Sequence, residues 1–70
     1  MRLTINGEIK NINPANQDIS LEDLLKYLGY QPQLIVVELN GIIVNPQKWK
    51  ITIIKEGDCL EIVTIVGGGS

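Results

Sequence analysis

The sequence predicts an α+β domain, a mixed sheet of four to five strands with one main helix lying across it. Three observations carry that expectation. Leu21, Leu24, Leu25 and Leu28 recur at the i, i+3, i+4, i+7 spacing of one helix face. Runs rich in β-branched residues flank them on both sides. Two Asn-Gly pairs, at Asn6-Gly7 and Asn40-Gly41, mark tight hairpin turns because both residues tolerate positive φ.

The elements follow in order. Arg2–Asn6 alternates, with Leu3 and Ile5 on one side and Arg2, Thr4 and Asn6 on the other, as a half-buried strand does. Glu8–Asn13 reads as the return strand, ended by Pro14 and the polar run Ala15–Asp18. Ser20 opens the helix, and Ser20 with Asp23 resembles a capping box, although Asp reaches less far than the usual Glu or Gln. Gly29 suits the C-terminal stop and Pro32 prevents continuation. Leu34–Leu39 is apolar except for Glu38 and too short for an ordinary helix, which makes it a buried strand. Ile42–Val44 is a short strand stopped by Asn45-Pro46. Gln47–Lys55 has no clear period, and Trp49, Ile51, Ile53 and Ile54 are expected to share in the core. Glu56-Gly57-Asp58 is a turn, and Cys59–Val66 is the last strand. One leucine-faced helix across such a sheet is the economical way to bury a hairpin's apolar face. With the last strand beside the first, the result is a β-grasp fold, with residues 1–66 as a single domain and 67–70 as a flexible glycine-rich tail.

Composition narrows the function. The 70 residues make one domain, which buries only about 60% of the surface its unfolded chain exposes. Such a domain is better suited to being acted on by something larger than to enclosing a cofactor. The net charge is −2 and the six Lys and Arg are scattered, which argues against nucleic acid as a partner. There is no histidine and only Cys59 among the cysteines, so a histidine-based zinc site, a catalytic triad and an internal disulfide are all excluded. No run approaches the ~20 apolar residues of a membrane span, and MRLTING lacks a signal-peptide character; a cytoplasmic location is expected.

Gly67-Gly68-Gly69-Ser70 is the strongest chemical signal. Consecutive glycines cost ordering entropy and offer nothing to pack. A plain flexible linker accounts for them equally well when the tail is taken alone. Their position directly after the final strand favours a working end. A side-chain-free segment passes through a channel too narrow for other residues, and four extended residues reach about 13–14 Å.

The run EGDCLEIVTIVGGG, the hairpin Arg2–Asn13, the helix Ser20–Leu28 and the LIVVELNGIIV segment resemble the sulfur carriers of the ubiquitin-like superfamily, most closely the ThiS carriers of thiamin thiazole synthesis. The resemblance implies a protein co-substrate and not an enzyme. A partner, an E1-like adenylating enzyme of the ThiF type, would use ATP to adenylate the terminal glycine carboxylate. Sulfur drawn ultimately from a cysteine desulfurase would displace AMP to give a thiocarboxylate, and a thiazole synthase of the ThiG type would take the sulfur. No cofactor is expected on the carrier itself, which is expected to be a monomer when free. On this resemblance Gly69 takes the terminal role, Gly68 the penultimate one, and Gly67 serves as extra flexible lead. The family ends at Gly-Gly, whereas Ser70 follows here; trimming or a non-native end is preferred to a working serine carboxyl.

Alternation gives a docking surface. Leu60, Ile62 and Thr64 are expected to face the helix, leaving Glu61, Val63 and Ile65 outward; Glu38 turned outward takes Leu34 and Val36 with it. Val63, Ile65 and Val36 would then form an exposed apolar patch beside the tail. Cys59 is expected to be a core residue, since no histidine could activate it. Glu56 and Asp58 are expected to be solvated turn residues, with contact to a basic partner as the lesser reading. Two alternatives remain at this stage: a carrier of the molybdopterin-synthase small-subunit type, whose approach to Gly-Gly contains proline where Thr64-Ile65-Val66 stands here, and a non-covalent β-grasp binding module of the TGS kind.

Overall fold

The computed structural model describes residues 1–13 and 18–65. Strand β1 (Arg2–Ile5) pairs antiparallel with β2 (Glu8–Asn11), from Arg2 opposite Asn11 to Ile5 opposite Glu8. The two-residue turn between them puts Asn6 at φ 52° and Gly7 at φ 82°. Both signs are positive, as a turn that matches the right-handed twist of the strands requires. Leu3 and Ile5 are buried. β2 ends two residues earlier than Asn13. Beyond it the Ile12 N–H donates to the Met1 carbonyl at 2.8 Å, and the Ile12 side chain joins the core.

A short strand β3 (Ile19–Ser20), not foreseen in the sequence, precedes helix α1 (Leu21–Leu28). Ser20 caps the helix by accepting from the Asp23 N–H at 3.0 Å. Glu22 and Asp23 lie in the first turn, where acidic residues complement the helix dipole. Gly29, at φ 86°, ends it. The Gly29 N–H returns to the Lys26 carbonyl and the Tyr30 N–H to the Leu25 carbonyl, the paired bonds of a Schellman stop. Leu21, Leu24 and Leu25 are fully buried and Leu28 packs against the same cluster, as their spacing predicts.

After a 3-10 turn at Pro32–Leu34 come β4 (Ile35–Leu39) and the two-residue β5 (Ile42–Ile43), joined by a second Asn-Gly turn with Asn40 at φ 52°. The segment without a clear period resolves into a 3-10 helix at Pro46–Ile51 and then β6 (Ile53–Ile54), which pairs antiparallel with β3. Trp49 anchors it: its ring is buried and its indole N–H donates to the Val44 carbonyl at 3.0 Å. Ile54 is buried, whereas Ile51 and Ile53 are exposed. The last strand, β7 (Cys59–Thr64), completes the chain's regular structure among the described residues.

The main sheet has the order β2-β1-β7-β4-β5. β7 lies at its centre, parallel to β1 and antiparallel to β4. One face packs on α1 and the Trp49 segment through Leu3, Ile5, Ile35, Val37, Leu60 and Ile62. This is the β-grasp arrangement, with the terminal strands side by side at the centre. Among the described residues the core contains only apolar side chains, so nothing in it is equipped for chemistry. Replacing Leu24 with Ala should lower the unfolding free energy by about 2–5 kcal/mol, the usual range for a truncated core leucine. Urea unfolding followed by circular dichroism checks this through the midpoint.

Candidate functional site

The face of the sheet turned away from the helix follows from strand register. On β7, Leu60 and Ile62 point into the core, so Cys59, Glu61 and Val63 point out. On β4, Ile35 and Val37 point in, leaving Val36 and Glu38 on the open side. Val36 stands directly opposite Val63. The Ile65 N–H donates to the Leu34 carbonyl at 2.6 Å, which adds a further pair at the end of the strand. Val63 is 60% exposed and Ile65 49%, whereas Val36 is half-buried between its neighbours. The three residues expected to share a surface do share one side of the sheet. Thr64 was expected to face the helix; it is exposed, because β7 runs on past the point where the core ends.

Two isoleucines not singled out in the sequence stand on the same open face. Ile43 pairs with Glu38, and Ile9 pairs with Thr4, which in turn pairs with Cys59. Both are largely exposed. The alternation that turns Glu38 outward carries Ile43 with it once the Asn40-Gly41 turn fixes the pairing, so the signal for Ile43 was present.

Register also sets two carboxylates against each other, since Glu38 lies directly opposite Glu61. Like charges at opposed positions of an antiparallel pair destabilise it. The salt bridge found among the described residues is elsewhere, between Lys10 and Glu8 at 3.8 Å. The open face therefore joins an apolar row, Val36 with Val63, to an acidic one, Glu38 with Glu61.

The approach to β7 is tightly built. Glu56 accepts from the Arg2 N–H with both carboxylate oxygens at 3.1 Å. Asp58 accepts from the Lys55 N–H at 2.8 Å and from the Asn40 side-chain amide at 3.1 Å. The two acids expected to be simply solvated thus hold the turn that aims β7. The two turn asparagines hold the strand itself. Asn40 Oδ1 accepts from the Cys59 N–H at 3.0 Å. Asn6 Oδ1 accepts from the Ile62 N–H at 2.7 Å, and its Nδ2 donates to the Ile62 carbonyl at 3.2 Å. Cys59 is not a core residue as expected. It is exposed, because its place on β7 has the parity of Glu61 and Val63, and register overrides the usual burial of cysteine.

Gly67, Gly68, Gly69 and Ser70, together with Val66 and the segment 14–17, lie outside the described residues. Among the described residues no cluster of His, Cys, Asp or Glu could hold a metal ion, and no helix is long and apolar enough to cross a membrane.

Among the described residues, an all-apolar core and a last strand at the centre of a mixed sheet crossed by one helix define a ubiquitin-like β-grasp domain. The ThiS family model matches residues 3–69, and the chain belongs to the ThiS family. The fold is similar to the crystal structure of the thiamine biosynthesis protein (ThiS) from Geobacter metallireducens, with a TM-score of 0.83, 31% identity, and coverage of 99% of this chain and 100% of that one. The uncharacterized protein ycf40 of Pyropia yezoensis is 40% identical over 67 residues, covering 96% of this chain and 90% of that protein. A thiazole synthase of Paramagnetospirillum magneticum is 39% identical over 70 residues, covering 100% of this chain but 21% of the synthase. Family membership makes the chain a sulfur carrier of thiamin biosynthesis, a small carrier protein and not a catalyst.

The opposed glutamates give a direct test of the register. Glu61→Lys should turn a repulsive pair into an attractive one and raise stability by about 0.2–1 kcal/mol at low salt, with the gain shrinking as salt is added. Thermal unfolding across a salt series checks it.

Proposed function

We propose that the Gly69 carboxylate is the group that carries sulfur. A carboxylate oxygen attacks the α-phosphorus of ATP in the active site of an E1-like adenylating enzyme, pyrophosphate leaves, and an acyl-adenylate forms. Hydrosulfide then attacks the acyl carbon, AMP departs and the thiol proton is lost to solvent, giving the thiocarboxylate that a thiazole synthase consumes. The need for ATP is plain from acid–base chemistry. An α-carboxyl has a pKa of about 3.3–3.7 and is an anion at neutral pH, which repels nucleophiles. Adenylation replaces the charged oxygen with a leaving group. Glycines at 67, 68 and 69 present no side chain to a narrow channel, and exclusion of water from that channel would protect the adenylate from hydrolysis.

The observation that carries this reading is the joining of two features on one strand. β7 exposes Val63 on the open face, Ile65 just past its end is exposed beside it, and the glycine run follows one residue later in sequence. A partner that grips the face is thereby in line to receive the end. Glu38 and Glu61, beside Val36 and Val63, suit a partner that brings a cation next to an apolar contact. The thiazole synthases support the pairing with that enzyme: a stretch similar to this entire chain forms about a fifth of each of two of them.

Two experiments follow. Val63→Asp and Ile65→Asp should each weaken binding to the adenylating enzyme by about thirtyfold, the loss typical of a desolvated anchor residue, with the far-ultraviolet circular dichroism unchanged. Isothermal titration calorimetry measures it; wild-type affinity in both variants would remove the face from the mechanism. A chain ending at Gly69 should support ATP–pyrophosphate exchange and, with a sulfur source, gain the mass of one oxygen exchanged for sulfur. A chain bearing a bulky residue after Gly69 should do neither, and inertness of the Gly69 form would overturn the proposal.

A further inference from the structure

The main-chain groups of β7 alternate between its two neighbours. Cys59 and Ile65 bond towards β4 and its flanks, through Asn40 N–H to the Cys59 carbonyl at 2.7 Å and Ile65 N–H to the Leu34 carbonyl. Leu60 and Ile62 bond towards β1. The Leu60 carbonyl takes the Asn6 N–H at 2.9 Å, and Ile62 meets the Asn6 side chain. β1 proper has ended at Ile5, and the chain has turned away through Asn6-Gly7. The Asn6 side-chain amide stands where the next peptide of β1 would be, donating and accepting as that peptide would. It extends the pairing by one step and no further.

The next residue with the same orientation is Thr64. It faces Ile35 at a position of the β4 pairing that carries no ladder bonds, so its N–H and C=O point to the side that β1 has vacated. Among the described residues the β1 pairing stops at Leu60, and no turn, loop or side-chain hydrogen bond reaches the Thr64 main chain on that side. The other edges of the main sheet are guarded. β2 carries the charged pair Glu8 and Lys10, and β5 is two residues long. The Thr64 edge has neither device. Uncharged Val63, Thr64 and Ile65 line it, all exposed, immediately before the residues that lead to the glycines.

We infer that this vacated edge is the binding site for an extended main-chain segment of the adenylating enzyme, which pairs with the Thr64 N–H and C=O as an added strand. The inference rests on the carrier reading above and specifies how the tail is held in register. Asn6 ends the carrier's own ladder one residue short, and the enzyme's strand continues it. Main-chain pairing supplies alignment, while Val63 and Ile65 on the open face supply selectivity.

Amide hydrogen exchange in the carrier, free and saturated with the adenylating enzyme, tests this. Thr64 should exchange rapidly in the free chain and at least about tenfold more slowly in the complex. Thr64→Pro deletes the outward N–H without touching a β4 ladder bond, and should raise the carrier's KM in pyrophosphate exchange about tenfold; Thr64→Ala should leave it unchanged. Rapid Thr64 exchange at saturation, in a complex that adenylates the tail, would overturn the inference and leave the carrier reading standing. So would a folded Thr64→Pro chain with wild-type KM. Protection of Thr64 in the concentrated carrier alone would overturn it in favour of pairing between two copies. Failure of the enzyme to adenylate the wild-type chain would overturn both.

Discussion

The rest of the molecule depends on β7 being bonded along both sides at once. It has a parallel neighbour in β1 and an antiparallel neighbour in β4, and its Leu60 and Ile62 side chains enter the middle of the core. Asn6 and Asn40, from the two hairpin turns, clamp it from opposite sides. Each of these asparagines does two jobs. Its positive φ makes the turn, and its side-chain amide bonds the strand that the turn passes. The central strand is thus fixed by parts that also define both hairpins, so the hairpins and the strand cannot be positioned independently.

Fixing β7 fixes the open face. Side chains along a strand alternate, so once Leu60 and Ile62 are committed to the core, Glu61 and Val63 have no choice of side. The same holds for Val36 and Glu38 on β4. The apolar row and the acidic row are consequences of core packing, yet they lie where a partner would reach them. A face that is at once apolar, like-charged and continuous with the strand leading to the glycines gains from being covered by a complementary surface.

Much of this was legible in the sequence, for identifiable reasons. The leucine spacing at 21, 24, 25 and 28 and the Asn-Gly turns are local signals, and both elements form where those signals place them. Alternation turned Val63 and Ile65 outward correctly. Part of what was missed depended on contacts between distant residues, and part on local geometry without a period. The segment around Trp49 takes a 3-10 course in which the buried indole donates to the Val44 carbonyl five residues earlier, and no period in the sequence announces that. Cys59 was misplaced because residue type was weighed above strand parity. The opposition of Glu38 to Glu61 requires the register between β4 and β7, which no short stretch encodes. The second role of Asn6 was hidden for the same reason: its partner Ile62 is 56 residues away.

That separation bears on the order in which the molecule is made. Synthesis runs from β1 towards β7, so the strand that belongs at the centre of the sheet emerges after every other described element. Until then β1 and β4 have no neighbour between them, and the hairpins on either side cannot join into one sheet. Pairing of such remote segments is slow compared with helix or hairpin closure, because a long loop must be ordered before any contact rewards it. A nascent chain interrupted before Cys59 therefore lacks the strand on which folding turns, and is left to the proteases that remove unfolded polypeptides. Insertion of β7 between β1 and β4 is therefore the step that joins the two hairpins into one sheet.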